Sequence, residues 1–276
     1  MSFGQVSLLF LLQLSFGGLA TLLVGDRQAL GPKYAKVSGW ILVALLGLGV
    51  SLCGAALFDD SAPPERLALA WSTIAATVAI LASTSLSGWD LPGFETATLV
   101  IALLASGAAV GLSAHQGALL AGGGSPGLAI AGAYGSALVL GFVTWGMVLG
   151  HWYLVAPGLP ISHLARLTSP LPWILIAKTL VSAAALALGW EVLLAGEGSL
   201  GDLLARRPER VIDVVNMSAR IPVGLLVPVV LAFMTRVVVR MEKTQPATGI
   251  LYAMCALVYL GDLMGKMIEG ATGVAL

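Results

Sequence analysis

Residues Leu128–Val155 read LAIAGAYGSALVLGFVTWGMVLGHWYLV and contain no Asp, Glu, Lys or Arg. A bilayer core about 30 Å thick takes roughly 20 helical residues to cross, so this run is long enough to span it. In lipid every backbone amide must be satisfied within its own segment, and barrel-type alternation is absent, so the run predicts a transmembrane helix.

Seven further apolar runs flank it, at 6–25, 37–58, 67–88, 96–116, 171–194, 218–240 and 248–268, which with 128–155 makes eight. The gaps hold turn chemistry: DRQALGPK, DDSAPPER, GWDLPGFE, GGGSPG, APGLP and KTQPATG. The first run has no basic residue before it and no small-x-small cleavage site after it, so it is expected to stay as the first helix. The fold class predicted is all-α, an integral membrane bundle of eight transmembrane helices forming one domain over 1–276. One connection is long. Within 199–215, SLGDLLARRPERVIDVV, Ser199 with Asp202 forms a capping box and Leu200, Leu203 and Leu204 share a face. This predicts an interfacial amphipathic segment between helices six and seven.

Composition agrees with the spans. The chain has 276 residues, 58% hydrophobic and 10% charged, and a mean hydropathy of +0.95. A soluble domain carries about a quarter charged residues, so this chain lacks the polar surface to cover a water-soluble globule. Its 14 basic and 14 acidic residues cancel, which removes bulk charge as an argument for nucleic acid. The two cysteines, Cys53 and Cys255, sit in apolar runs without metal-knuckle or CxxC spacing and read as core residues.

Eight spans put both termini on one side. Basic residues divide almost evenly between the two sides, and the flank after the first helix, with Arg27, Lys33 and Lys36, favours both termini outside a bacterial inner membrane. No repeat of period 20 to 50 and no matched helix interruptions support a solenoid or an inverted-repeat transporter.

The fifth span also carries Gly132, Gly135, Gly141, Gly146 and Gly150. Glycine in a membrane helix allows close approach, first of another helix and second of a flat ligand, which predicts a central position for this span.

Ionisable groups within a bilayer mark a cavity or a partner. Counting about 1.5 Å per residue from each expected start puts His151, Trp152, Tyr153, His163, Lys178 and Arg236 at one face. His115, Arg220, Asp262, Lys266 and Glu269 fall at the other, with Asp262, Lys266 and Glu269 stacked a turn apart as a self-neutralising helix end. Trp152 and Tyr153 suit the aromatic belt at a bilayer surface. A neutral His151 can donate and accept one hydrogen bond each, and with Lys178 beside it would suit a quinone headgroup. Haem b is disfavoured, because His115 and His151 fall at opposite ends and cannot grip one iron. No metal-binding motif, nucleophile elbow or phosphate loop is present.

The function expected from these residues is an anchor subunit of a respiratory or electron-transfer complex, associated with the lipid bilayer and with other subunits, holding a quinone near His151. It is more a non-catalytic part of an oxidoreductase complex than an enzyme by itself. The alternative is a small-solute or ion transporter with Lys178, Arg236, Asp262 and Arg220 along a route, opposed by the lack of a mid-membrane charge cluster. A third reading is a membrane-embedded lipid-modifying enzyme.

Overall fold

The computed structural model describes residues 3–59, 62–86, 92–121, 125–156, 158–188 and 220–272. These are nearly all helical and contain no strand. In chain order they form α1 (Phe3–Val24), α2 (Arg27–Cys53), α3 (Pro64–Leu86), α4 (Pro92–Ala121), α5 (Pro126–Val155), α6 (Ser162–Thr168), α7 (Leu171–Leu188), α8 (Val227–Arg240) and α9 (Thr244–Thr272). A 3-10 turn, Gly54–Phe58, follows α2, and a π-helical turn, Pro222–Leu226, leads into α8. Among the described residues eight helical stretches are long and apolar enough to cross a membrane, which suggests a multi-pass membrane protein. The expected interfacial segment at 199–215 lies outside the described residues.

Two breakers act differently from the expectation. DRQALGPK does not separate two helices by a loop: Asp26 accepts a hydrogen bond from the Ala29 amide at 3.2 Å and starts α2 at once. Gly31, at φ +84°, then kinks the helix immediately before Pro32. Only glycine holds that backbone angle without strain. Between the fifth and seventh helices the chain turns back earlier than expected. The span begins at Ser162 with α6 and runs through Ser169 and Pro170 into α7, so the crossing stretch is Ser162–Leu188 rather than one starting at Leu171.

Helix α5 is apolar all round, and its middle is buried on every side. Every residue from Val139 to Gly146 is buried, and α5 packs against α1, α4, α7 and α9. Its glycines make this possible. Gly141 of α5 meets Gly17 of α1 backbone to backbone, Gly146 faces Leu251 of α9, and Gly150 lies against Thr248 of α9. The outer faces carry large exposed apolar side chains, among them Trp40, Leu48, Trp71, Val78, Phe233 and Val237. In a water-soluble protein so broad an apolar surface would be a liability, whereas lipid accepts it.

Phe10, near the start of α1, packs edge-on to Tyr259 of α9 at 5.3 Å between ring centroids, and the Lys266 ammonium lies 5.7 Å from the Phe10 ring centre. The start of α1 and the end of α9 therefore share one end of the bundle, here the termini end.

Candidate functional site

Ionisable side chains from three parts of the chain meet inside the bundle. Lys178 projects from α7, Arg220 stands just before the π-helical turn, and Asp262, Lys266 and Glu269 follow one another along α9. All five are between 2% and 7% exposed. Lys178 has Arg220, Asp262, Glu269 and Lys266 as its charged neighbours. Asp262 and Lys266 form an ion pair one helical turn apart, and the Ser136 hydroxyl on α5 also hydrogen-bonds Asp262.

Local sequence explains how each group gets there. Gly132 and Gly135 leave α5 bare on the side facing α7, so the Lys178 stem lies against the helix backbone. A Cβ added at Gly135 would stand 3.1 Å from Lys178 Cδ. Lys178 Nζ then donates to the Gly132 carbonyl at 3.2 Å. On the other side Pro228 has no N–H to return to the carbonyl four residues before it, and that Gly224 carbonyl accepts from Arg220 Nη1 at 3.3 Å. Gly224 touches Gly261 of α9 backbone to backbone. That contact brings Arg220 within reach of Asp262.

The cluster encloses a cavity of about 10 Å³, lined by Ser136, Lys178, Arg220 and Asp262 among apolar neighbours. That is about the room one water molecule needs. Among the described residues, Arg220 Nε, Ser182 Oγ and Glu269 Oε1 are buried without a hydrogen-bond partner. Three cations face two carboxylates. At about 1.5 Å per residue, Asp262 lies roughly 15 Å from the last residue of α9 and Ser136 roughly 15 Å from the first of α5, while Glu269 is within a turn of its helix end. The group thus reaches from near the termini end to the middle of the bundle.

This corrects two expectations. Lys178 does not join His151. It stands beside Gly132 and Gly135, and from Gly132 to His151 is roughly 28 Å along α5. The physical reason is the early turn: with the span starting at Ser162, Lys178 is roughly 24 Å into it, not one or two turns. The objection that no charge cluster lies away from the helix ends also falls, since Lys178 and Arg220 meet Asp262 at mid-bundle depth, with Glu269 toward the termini end.

The remaining residues of the first group do share an end, where α5 and α8 finish and α6 begins. His151 is exposed, with Nδ1 3.4 Å from the Tyr252 hydroxyl. Trp152 packs edge-on to Tyr34 of α2 at 5.6 Å. Tyr153 is buried, and its hydroxyl donates to the Pro160 carbonyl at 2.7 Å, closing the connector to α6. Replacing Tyr153 with Phe is expected to lower stability by about 1 kcal/mol, the value of one hydrogen bond, read as a small fall in the thermal midpoint in detergent. His163 in α6 and Arg236 in α8 are half-buried. His115, on α4 at the termini end, is half-buried and does not line the cavity. His115 and His151 stand at opposite ends of the bundle, too far apart to share one iron.

Sequence reasoning missed Ser136, Ser182 and the close approach of Gly224 to Gly261. A signal existed for one of them: Ser182 is one turn after Lys178 and shares its face. Among the described residues no three His, Cys, Asp or Glu side chains come together as a metal site. Cys53 and Cys255 are buried free thiols, and Thr144 Oγ1 lies 3.9 Å from Cys255 Sγ and 2.8 Å from the Tyr259 hydroxyl. Against models of known protein families, curated proteins and solved structures, the chain has no match.

Proposed function

We propose that the chain is a membrane-inserted carrier of protons or small ions, and that its working centre is the cluster of Lys178, Arg220, Asp262, Lys266 and Glu269. The single observation that carries this reading is the burial of five ionisable side chains in one group that runs from near the termini end to the middle of the bundle. Taking charges out of water costs several kcal/mol per ion even after relaxation, and anchoring other subunits gives no return for it. Ionisable groups kept at such depth line ion pathways or relay protons.

The arrangement suits a relay. Glu269 faces the termini end and takes up a proton there. Lys178 hydrogen-bonds a carbonyl, not a carboxylate, so it changes protonation without breaking an ion pair. Asp262 is held by Lys266 and Ser136, and Arg220 stays a fixed positive charge. The cavity between Lys178, Arg220 and Asp262 has room for one water that would bridge them. The pairing of Lys178 with His151 at a quinone ring is not available, because Lys178 lies beside Gly132.

Purified protein in liposomes with a trapped pH dye tests the proposal. Under an imposed potential the wild type is expected to acidify or alkalinise the lumen, and Lys178→Met, which keeps the stem and removes the ammonium, to abolish the flux. Equal flux in both would refute a role for Lys178, and no flux above empty liposomes for protons, sodium, potassium or chloride would refute the carrier reading. The orientation proposed is both termini outside a bacterial inner membrane, from the basic flank that follows α1. Labelling of terminal tags on intact cells checks it.

A further inference from the structure

A second cavity opens at the other end of the bundle. It has a volume of about 520 Å³ and lies between the end of α5, the connector to α6 and the first turns of α9. Sites for small organic ligands fall at roughly 300–1,000 Å³, mostly apolar with a few placed polar groups. Leu154 and Leu159 give the apolar wall, and Thr248, Gln245 and Tyr252 the polar one.

Three features narrow the occupant. None of the described lining residues is charged. A phosphate headgroup draws on charge-assisted bonds from Arg or Lys, so the lining favours a neutral ligand. Two of the lining hydroxyls have already given up their protons and keep only acceptor lone pairs. Tyr153 spends its hydroxyl on Pro160 and Thr248 spends its own on the Thr244 carbonyl. The Gln245 amide donates as well as accepts, and whichever way the Tyr252–His151 hydrogen bond runs the pair keeps one proton, so these two groups are the ones that can hold a ligand's acceptors. Finally, Gly249 presents bare backbone on the lining, with nothing within 4 Å of where its Cβ would be, a flat floor for a flat ring.

We infer that this cavity binds the headgroup of a quinone, with one ring carbonyl accepting from Gln245 and the other from the Tyr252–His151 pair, and the tail leaving past Leu154 into lipid. The inference does not rest on ion transport by the buried cluster. It replaces Lys178 with Gln245 and Tyr252 as the groups that would meet a quinone.

Equilibrium dialysis of the full chain in detergent with a decyl-substituted benzoquinone tests it. The wild type is expected to bind one equivalent saturably. Gly249→Phe fills the cavity through open space and is expected to weaken binding by about tenfold or more, equivalent to ~1.4 kcal/mol, with an unchanged thermal midpoint. Gln245→Ala, at an exposed position, is expected to weaken it by several-fold and guards against a folding defect in the first variant. The same tail on a plain benzene ring is expected to bind about tenfold less tightly for want of acceptors. Undiminished binding to Gly249→Phe would overturn the inference. So would equal affinity for the benzene compound, which would reveal a mere apolar slot, or stoichiometric displacement of the quinone by phosphatidylglycerol, which would make a phospholipid the occupant.

Discussion

Asp262→Ala is expected to destabilise the protein by about 3–5 kcal/mol, the usual result of removing one partner from a buried ion pair. Lys266 loses its only ion-pair partner among the described residues and Arg220 its nearest opposite charge. Three buried cations would then face Glu269 alone. With roughly 2–4 °C per kcal/mol for a chain of this size, the thermal midpoint in detergent falls by about 10 °C. The double variant Asp262→Asn with Lys266→Met separates cause from coincidence. It replaces the pair by neutral groups of similar volume, and such replacements are often neutral or even stabilising, so most of the loss should return. An unchanged midpoint in Asp262→Ala would mean that water reaches these groups and that the cluster is not enclosed.

The second large effect concerns the seam between α1 and α5. Gly141→Val is expected to prevent stable folding. A Cβ at Gly141 would run into the backbone of Gly17, and one at Gly17 into the backbone of Ala137 and Gly141. Overpacking a core against movable side chains already costs about 1–3 kcal/mol. Here nothing flexible can give way, so the two helices must part. Gly47→Val on α2, where a Cβ would meet nothing within 4 Å, is the matched control and should leave expression and size-exclusion behaviour unchanged. Equal tolerance of both substitutions would contradict the close α1–α5 contact.

The two seams show how far the sequence can be read. Apolar length sets the number and order of the eight crossing-length stretches among the described residues, because a run such as Leu128–Val155 would have no other stable form in lipid. The glycines of α5 also pointed to a central helix, since only close approach compensates for what glycine loses. What length cannot show is where a helix enters the apolar slab when the connector is itself helical. His163 and Arg166 looked like loop residues, yet they belong to α6, and moving the start from Leu171 to Ser162 shifts every later residue of that span by roughly 13 Å. Lys178 thereby passed from the His151 end to the Asp262 cluster. Within α9 the ion pair was legible, because Asp262 and Lys266 are spaced for it on one helix. Arg220 was legible too as a member of that group, by its depth at the start of its span, but the contact of Gly224 with Gly261 that brings it to Asp262 was not, because it joins two helices at backbone distance.

Lys178 lies against the first half of α5, beside Gly132 and Gly135. In a chain with Cys53 and Cys255 replaced by Ala, Gly135→Cys with Lys178→Cys places the two Cβ atoms about where a disulfide needs them, since a Cβ at Gly135 would be 3.5 Å from that of Lys178. Oxidation in native membranes followed by mass spectrometry of the linked peptides should show this bridge and none for His151→Cys with Lys178→Cys. A bridge between positions 151 and 178, and none between 135 and 178, would contradict the buried cluster and return the lysine to the histidine's end.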